Sequence, residues 1–244
     1  TYAQLASDAI EVTNYLRLRF GKDKIYLFAH SGGTPVAIKA ITDHPELFHA
    51  YIAMAQITNQ AQSEKIAYEY MVADASKTGD KRALKQLQRY SHVKDGEDIL
   101  KFFKSPARDN YMHKMGIGTM HKMRSVFSGV FLPVWMCNAY TFKEKFNIWR
   151  SKITFLPKTD IHKETIETDF ASLYNEIKIP VYFFCGAHDL TVNTALTKEY
   201  YEKLIAPEKA FYLFENSAHS PLFEEPEKVM KIIKEEVLNN NKRQ

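Results

Sequence analysis

Apolar and polar positions follow two alternating periods along the chain. Short, mainly apolar runs at 25–30, 50–55, 181–186 and 211–215 are typical of strands buried on both faces of a sheet. Amphipathic stretches predict helices at 2–20, 35–41, 61–75, 80–90, 194–205 and 226–238. Between 97 and 155 the pattern is replaced by a Met- and aromatic-rich stretch that predicts short helices. The alternation of strands and helices indicates an α/β protein with a parallel sheet covered on both faces.

The long interval between the second and third predicted strands indicates an insertion into this sheet. We therefore divide the chain into a core segment at 1–60, a helical cap or lid at 61–175 and a second core segment at 176–244. No apolar run approaches the ~18 residues that a membrane-spanning helix needs. Cys137 and Cys185 both lie in apolar surroundings, which favours buried thiols over a disulfide. With no secretory signal visible, we expect a cytoplasmic protein.

The net charge and the sequence motifs limit the kinds of molecule that this protein is expected to bind. The net charge of +4 is too small to indicate a nucleic-acid-binding protein. Segment 101–155 nevertheless holds ten Lys or Arg against two acidic residues, so it carries +8 and the remainder −4. The histidines show no metal-ligand spacing with Cys or acidic residues. Gly116-Ile117-Gly118 lacks the third glycine and the preceding strand of a dinucleotide-binding loop. We therefore expect no metal and no cofactor.

A serine lies where the first predicted strand turns into a helix, in Ala29-His30-Ser31-Gly32-Gly33. A serine on such a sharp turn is lifted clear of the sheet, and small neighbours allow the strand and helix to approach each other. The turn also brings free main-chain N–H groups of the helix start near the hydroxyl, where they can stabilise an oxyanion. The alternative is an incidental serine in a glycine-rich turn.

An acid and a histidine follow the later strands in the order that completes a catalytic triad. Asp189 comes just after the third predicted strand, and His219 follows the fourth. Carboxyl ends of parallel strands meet at one edge of a sheet, so Ser31, Asp189 and His219 are expected to lie together. In that arrangement His219 takes the Ser31 proton and Asp189 orients the imidazole. Singly, Asp189 also fits a turn residue and His219 a loop histidine.

These motifs resemble the α/β-hydrolase superfamily, over residues 25–55 and 175–238. The phrase SAHSPLFEEPEKV after the fourth strand is similar to the proline-iminopeptidase-like and lysophospholipase-like branch. The resemblance implies Ser31 as nucleophile, Asp189 as acid, His219 as base and the Gly32 N–H as one oxyanion donor. It also implies strands and a second oxyanion donor that precede the nucleophile strand. The chain is thus expected to cover only the C-terminal part of the fold. A missing N-terminal piece, a second chain or a strand swapped within an oligomer is expected to cover the open sheet edge.

The function expected from these features is that of a serine hydrolase acting on an ester or amide bond of a small, largely apolar acyl substrate. One alternative is an aminopeptidase like proline iminopeptidase, although segment 101–155 offers only Asp109 and Glu144 as carboxylates for a substrate ammonium. A second alternative, of another class, is a non-catalytic ligand-binding protein with this fold. The cap residues Met112, Phe131, Trp135 and Trp149 are candidates for an apolar substrate pocket, or else they pack within a helical lid.

Overall fold

A computed structural model describes residues 1–238; the last six residues of the predicted segment 176–244 lie outside this range. The strands are β1 (Ile25–His30), β2 (Phe48–Met54), β3 (Val181–Gly186) and β4 (Lys209–Phe214). The α-helices are α1 (Tyr2–Phe20), α2 (Thr34–Asp43), α3 (Gln60–Thr78), α4 (Lys81–Leu87), α5 (Ile99–Phe103), α6 (Pro106–Met115), α7 (Leu132–Met136), α8 (Phe142–Arg150), α9 (Ile161–Glu167), α10 (Phe170–Leu173), α11 (Thr194–Lys203), α12 (Pro221–Glu224) and α13 (Pro226–Ile232). Within this range, no helix is both long enough and apolar enough to cross a bilayer.

The described strands form one parallel sheet in the order β1-β2-β3-β4. This confirms the predicted α/β architecture. Helical structure after β1, β2 and β3 returns the chain each time to the same end of the sheet, as parallel pairing requires. Every residue of β3 is buried, as its continuous apolar sequence predicts. β1 and β4 lie at the two edges of the described sheet, and both are mostly half-buried.

Helices cover both faces of the sheet. On one face Ile38 and Ile41 of α2 and Tyr200 of α11 pack against apolar side chains of the strands. On the other, Val229 and Ile232 of α13 pack against a second set of strand side chains. The helical path continues past α13 through the wider turns of Ile233–Val237. The two clusters fix the sheet between its helices, so its carboxyl-end loops rest on a packed scaffold.

The long insertion between β2 and β3 is helical and has its own core. Met71, Leu87, Phe102 and Met112 are buried together where α3 to α6 meet. A second part, 127–155, packs mainly on itself and leaves many of its large apolar side chains exposed. The short helices predicted for 97–155 are therefore present. The helices of α3 to α6 bury their apolar side chains in a shared core, whereas those in 127–155 leave many of theirs exposed.

Helix α1 is placed as predicted, but much of its apolar stripe is uncovered. The helix begins at the Thr1 cap and ends at Gly21, whose φ of 58° suits a residue without a side chain. It turns Tyr2, Ala6 and Thr13 inward, whereas Val12 is 56% exposed. The helical spacing of apolar residues thus predicts α1 correctly, but it does not show how much of the helix's apolar face is packed against the rest of the protein.

Candidate active site

Ser31 lies in a strained turn directly after β1. Its φ of 55° is in the left-handed region, where a residue with a Cβ is uncommon. The turn Ser31–Gly33 leads into α2, and a Cβ on Gly33 would lie 3.9 Å from the Cβ of Ala29. Thr34 fixes the turn, because its hydroxyl donates to the Ser31 carbonyl (2.7 Å) and accepts from the Ile57 N–H (3.0 Å). This geometry is that of a strand–turn–helix elbow with a serine at its apex.

Asp189 and His219 form a buried pair in the loops after β3 and β4. His219 Nδ1 lies 2.9 Å from Asp189 Oδ2, and the two residues are 5% and 1% exposed. The other carboxylate oxygen of Asp189 accepts from the main-chain N–H groups of Thr191 (2.8 Å) and Val192 (3.0 Å). Because Nδ1–H donates to the carboxylate, Nε2 of His219 is left as the proton acceptor.

His30 joins the serine turn to the His219 loop. Its Nε2–H donates to the carbonyl oxygen of His219 at 2.8 Å, and the two ring centroids are 4.8 Å apart. Burial, followed by the nearby His219 ring, lowers the pKa of His30 to about 4. His30 is therefore neutral at physiological pH and acts as a donor. Within residues 1–238 no hydrogen bond joins the Ser31 hydroxyl to the His219 ring, a contact that free enzymes often make loosely.

A glycine that sequence reasoning did not single out allows the loops of Asp189 and His219 to meet; we call these the acid and base loops, after the roles expected of the two residues. A Cβ on Gly186 would lie 1.8 Å from the Ala218 carbonyl oxygen, so only glycine fits this approach. The loops are also joined by the His188 N–H, which donates to the Ser217 carbonyl at 3.0 Å. The Cys-Gly-Ala-His-Asp sequence could have pointed to Gly186, but only as a turn residue, since the loop it contacts is far away in sequence.

Two glutamates after His219 hold the base loop from outside. Glu225 Oε2 accepts from the Asn216 N–H (3.0 Å) and from the Ser217 hydroxyl (2.7 Å). Glu224 Oε2 accepts from the Ala218 N–H at 2.8 Å. These bonds explain the two adjacent acidic residues in SAHSPLFEEPEKV, which the sequence alone shows only as a resemblance.

The predicted pocket residues are split between two places. Met112 is buried among α3 to α6, and the Thr191 hydroxyl approaches its sulfur at 3.8 Å. Phe131, Trp135 and Trp149 instead form an aromatic cluster within 127–155, with centroids 5.8 Å and 5.1 Å from Phe131. A cavity of about 590 Å³ lies between residues 120–129 of the insertion and the segment around His219. Its lining residues are Met120, Lys122, Met123, Arg124, Ser128, Gly129, Asn216, Phe223 and Glu224.

The chain is similar in sequence to two bacterial proteins whose names are those of a probable and a known type of aminopeptidase. The Bacillus subtilis (strain 168) protein named probable aminopeptidase YbaC is 29% identical over 233 residues, covering 93% of this chain and 69% of that protein. The proline iminopeptidase of Heyndrickxia coagulans is 40% identical over 65 residues, 27% of this chain and 22% of that protein. No protein-family model matches the chain.

Solved structures show the same fold. VinJ superposes with a TM-score of 0.55 at 17% identity, covering 90% of this chain and 68% of that one. The thermophilic esterase from Thermogutta terrifontis superposes with a TM-score of 0.54 at 15% identity, covering 96% and 71%. The parallel sheet and these superpositions show that the chain has the α/β-hydrolase fold, and the likeness to the Bacillus subtilis protein supports an assignment to that superfamily.

Proposed function

We propose that this enzyme of the α/β-hydrolase superfamily is a serine hydrolase that cleaves an ester or amide bond through an acyl-enzyme. The main support is the strained Ser31 turn, held by His30 against the loop of a buried Asp189–His219 pair. Positive φ at a residue with a Cβ is costly and concentrates at functional sites. The order Ser, Asp, His along the chain is also that of α/β-hydrolases.

The chemistry assigns one role to each group. The Ser31 oxygen attacks the substrate carbonyl carbon while His219 Nε2 takes the hydroxyl proton. The Gly32 N–H donates to the developing oxyanion. The tetrahedral intermediate then expels the leaving group, which takes the proton from His219, and leaves an ester on Ser31. Water attacks this ester with His219 again as base, which releases the acid and restores the serine hydroxyl.

Charge in the cap favours a substrate that is neutral or anionic. Lys122 and Arg124 line the cavity beside the base loop, and Glu224 there already accepts main-chain hydrogen bonds. The buried Glu64 of the cap is paired with Arg108 at 2.5 Å and is not free to bind an ammonium group. We therefore propose a substrate with a small, largely apolar acyl group. We also propose that its pocket is lined by the candidates Met112, Phe131, Trp135 and Trp149.

The second candidate is an aminopeptidase of the proline-iminopeptidase kind. It is supported by the names of the two relatives, one of which matches over 93% of this chain. Both candidates use the same acyl-enzyme steps, so they differ only in the groups that surround the scissile bond. A substrate comparison separates them.

The test combines active-site labelling with that comparison. A fluorophosphonate should label Ser31 in the wild-type chain and fail to label Ser31→Ala, while Ser7→Ala on the exposed face of α1 should label normally. Ser31→Ala should lower kcat by roughly 10⁴-fold or more. Medium-chain aryl esters should exceed proline amides in kcat/KM.

Three results would change the assignment. Labelling that persists in Ser31→Ala would disprove the nucleophile. A preference of tenfold or more for proline amides, an order-of-magnitude threshold, would favour the aminopeptidase. Ligand binding with neither labelling nor turnover would favour a non-catalytic binding protein.

A further inference from the structure

One side chain connects the cap to the base loop at the candidate site. Glu224 Oε2 accepts from the Ala218 N–H at 2.8 Å, one residue before His219. Its second oxygen, Oε1, accepts from the His121 N–H at 2.6 Å, 103 residues away in the cap. A carboxylate that accepts two main-chain hydrogen bonds holds both segments more strongly than a neutral acceptor would. Glu224 thus fixes the distance between cap and base loop.

The cap segment that Glu224 holds, 116–121, contacts both halves of the acid–base pair. The Gly118 carbonyl accepts from the His219 N–H at 3.3 Å, and the Ile117 carbonyl accepts from the Leu190 N–H at 3.2 Å. Farther along, the His121 ring stacks on His188, with centroids 3.7 Å apart. The main chain at Leu190 and His219 and the side chain of His188 are therefore in contact with one short piece of the cap.

The conformation of this segment is tightly constrained. Gly116 has a φ of 70°, and a Cβ there would lie 2.5 Å from the His121 carbonyl oxygen. A Cβ on Gly118 would lie 3.1 Å from the His113 ring. Segment 116–121 is thus a compact loop of defined shape, which can transmit the position of its held end at His121 to its contacts at His219 and Leu190.

We propose that Glu224 is a positioning residue that, through segment 116–121, sets the orientation of His219 relative to Ser31. The inference depends on the proposed function, since it assigns Glu224 to the same triad. Both carboxylate oxygens of Glu224 accept main-chain hydrogen bonds, so its proposed role is to hold these segments in place and not to react. It acts by holding the cap segment whose carbonyl groups bind the loops of the acid and the base.

The variant Glu224→Gln tests this positioning role while keeping the side chain at nearly the same size. An amide has one acceptor oxygen, and its NH₂ group would face an N–H donor, so one of the two bonds is lost. Glu227→Gln, an exposed glutamate in the first turn of α13, is the matched control. The measurements on the full chain are the rate of fluorophosphonate labelling, kcat and KM for an aryl ester, and thermal unfolding. The low-field proton NMR signal of the His219–Asp189 hydrogen bond supplies a spectroscopic readout.

We expect Glu224→Gln to lower labelling rate and kcat by roughly 10-fold to 100-fold, the scale of a small misplacement of a catalytic group. KM should change by less than about threefold, because ground-state binding is retained. The low-field signal should broaden or shift while the unfolding transition stays cooperative. Glu227→Gln should match wild type in every readout.

The outcomes separate this inference from the proposed function. If Ser31→Ala retains labelling and turnover, the triad assignment fails and this inference fails with it. If Ser31→Ala is inactive while Glu224→Gln behaves as wild type, only the role of Glu224 is disproved. A loss of activity with an unchanged low-field signal and a matching loss of stability would show a structural role alone and overturn the proposal.

Discussion

The candidate site joins two halves that lie in different surroundings. The elbow half consists of β1, the Ser31 turn and α2, and its strand is at a sheet edge with Phe28 37% exposed. The acid–base half consists of β3, β4 and the loops after them. Its central strand β3 is wholly buried, and its two loops are connected by main-chain, side-chain and cap contacts.

The difference shows where the geometry of the site is determined. Asp189 and His219 are fixed by close packing, in which a single added methyl group has no room. Ser31 is fixed by local strain and by a few polar contacts, chiefly through Thr34 and His30. We therefore expect changes in the acid–base half to destabilise the fold, and changes in the elbow half to alter chemistry with smaller effects on stability.

The largest effect is expected for Gly186→Ala. The new Cβ would overlap two main-chain oxygens, 1.8 Å from that of Ala218 and 2.6 Å from that of Ser217, so the loops must separate. The free energy of unfolding should fall by about 3 kcal/mol, at the upper end for overpacking, and esterase activity should be lost. Gly33→Ala in the elbow half, with only Ala29 at 3.9 Å, should cost less than about 1 kcal/mol in chemical denaturation. Equal losses in the two variants would contradict the comparison.

The contact between the halves should make stability depend on pH. The pKa of His30 is about 4 in the folded chain and 6.5 in its ordinary state. As pH falls from 6.5 to 4 the unfolded chain therefore binds a proton that the folded chain does not, and stability falls. The contribution of His30 to this loss is up to about 3 kcal/mol.

The variant His30→Gln isolates that contribution, since glutamine can donate to the His219 carbonyl but does not titrate. Denaturation curves at pH 7 and pH 4.5 should show a smaller acid-induced loss in His30→Gln than in wild type. The same loss in both proteins would show that another group is responsible.

A smaller gain in stability is expected for Ser31→Gly. Glycine adopts the φ of 55° without strain, so the free energy of unfolding should rise by roughly 1 kcal/mol while hydrolysis is abolished. Ser31→Ala loses the same hydroxyl but keeps the Cβ, and it should show no such gain in thermal unfolding. An equal gain in both variants would trace the effect to the hydroxyl rather than to the backbone.

The smallest change in stability is expected on α1, beside the elbow half. Val12 and Leu18 are 56% and 85% exposed, so Leu18→Ser should alter stability by less than about 0.5 kcal/mol. Exposed apolar side chains near an open strand edge favour association, so the same variant should reduce self-association in sedimentation velocity. Glu11→Ser on the same helix is the control. A monomeric wild-type chain at high concentration would refute this expectation.

The sequence predicts the sheet better than it predicts the contacts between loops. The strand predicted at 50–55 begins two residues earlier, at Phe48, because Phe48 of β2 pairs with Ile25 of β1. The Asp189–His219 pair was predicted because each residue follows a strand that its apolar run identifies. Glu224 and Gly186 were not predicted, since their roles depend on groups 103 and about 32 residues away. Helical periodicity likewise identifies α1 without showing which side is covered.

The sheet order also has a consequence for how the chain folds. β1 and β2 are close in sequence, but β2 pairs with β3 through Tyr51 and Val181, across the whole cap insertion. Contacts between such distant segments form slowly, because a long loop must close first. During synthesis, β2 therefore emerges from the ribosome well before β3 has been made. A cap that folds early on its own core would shorten the effective loop, and so would hasten the step that brings Ser31 near His219.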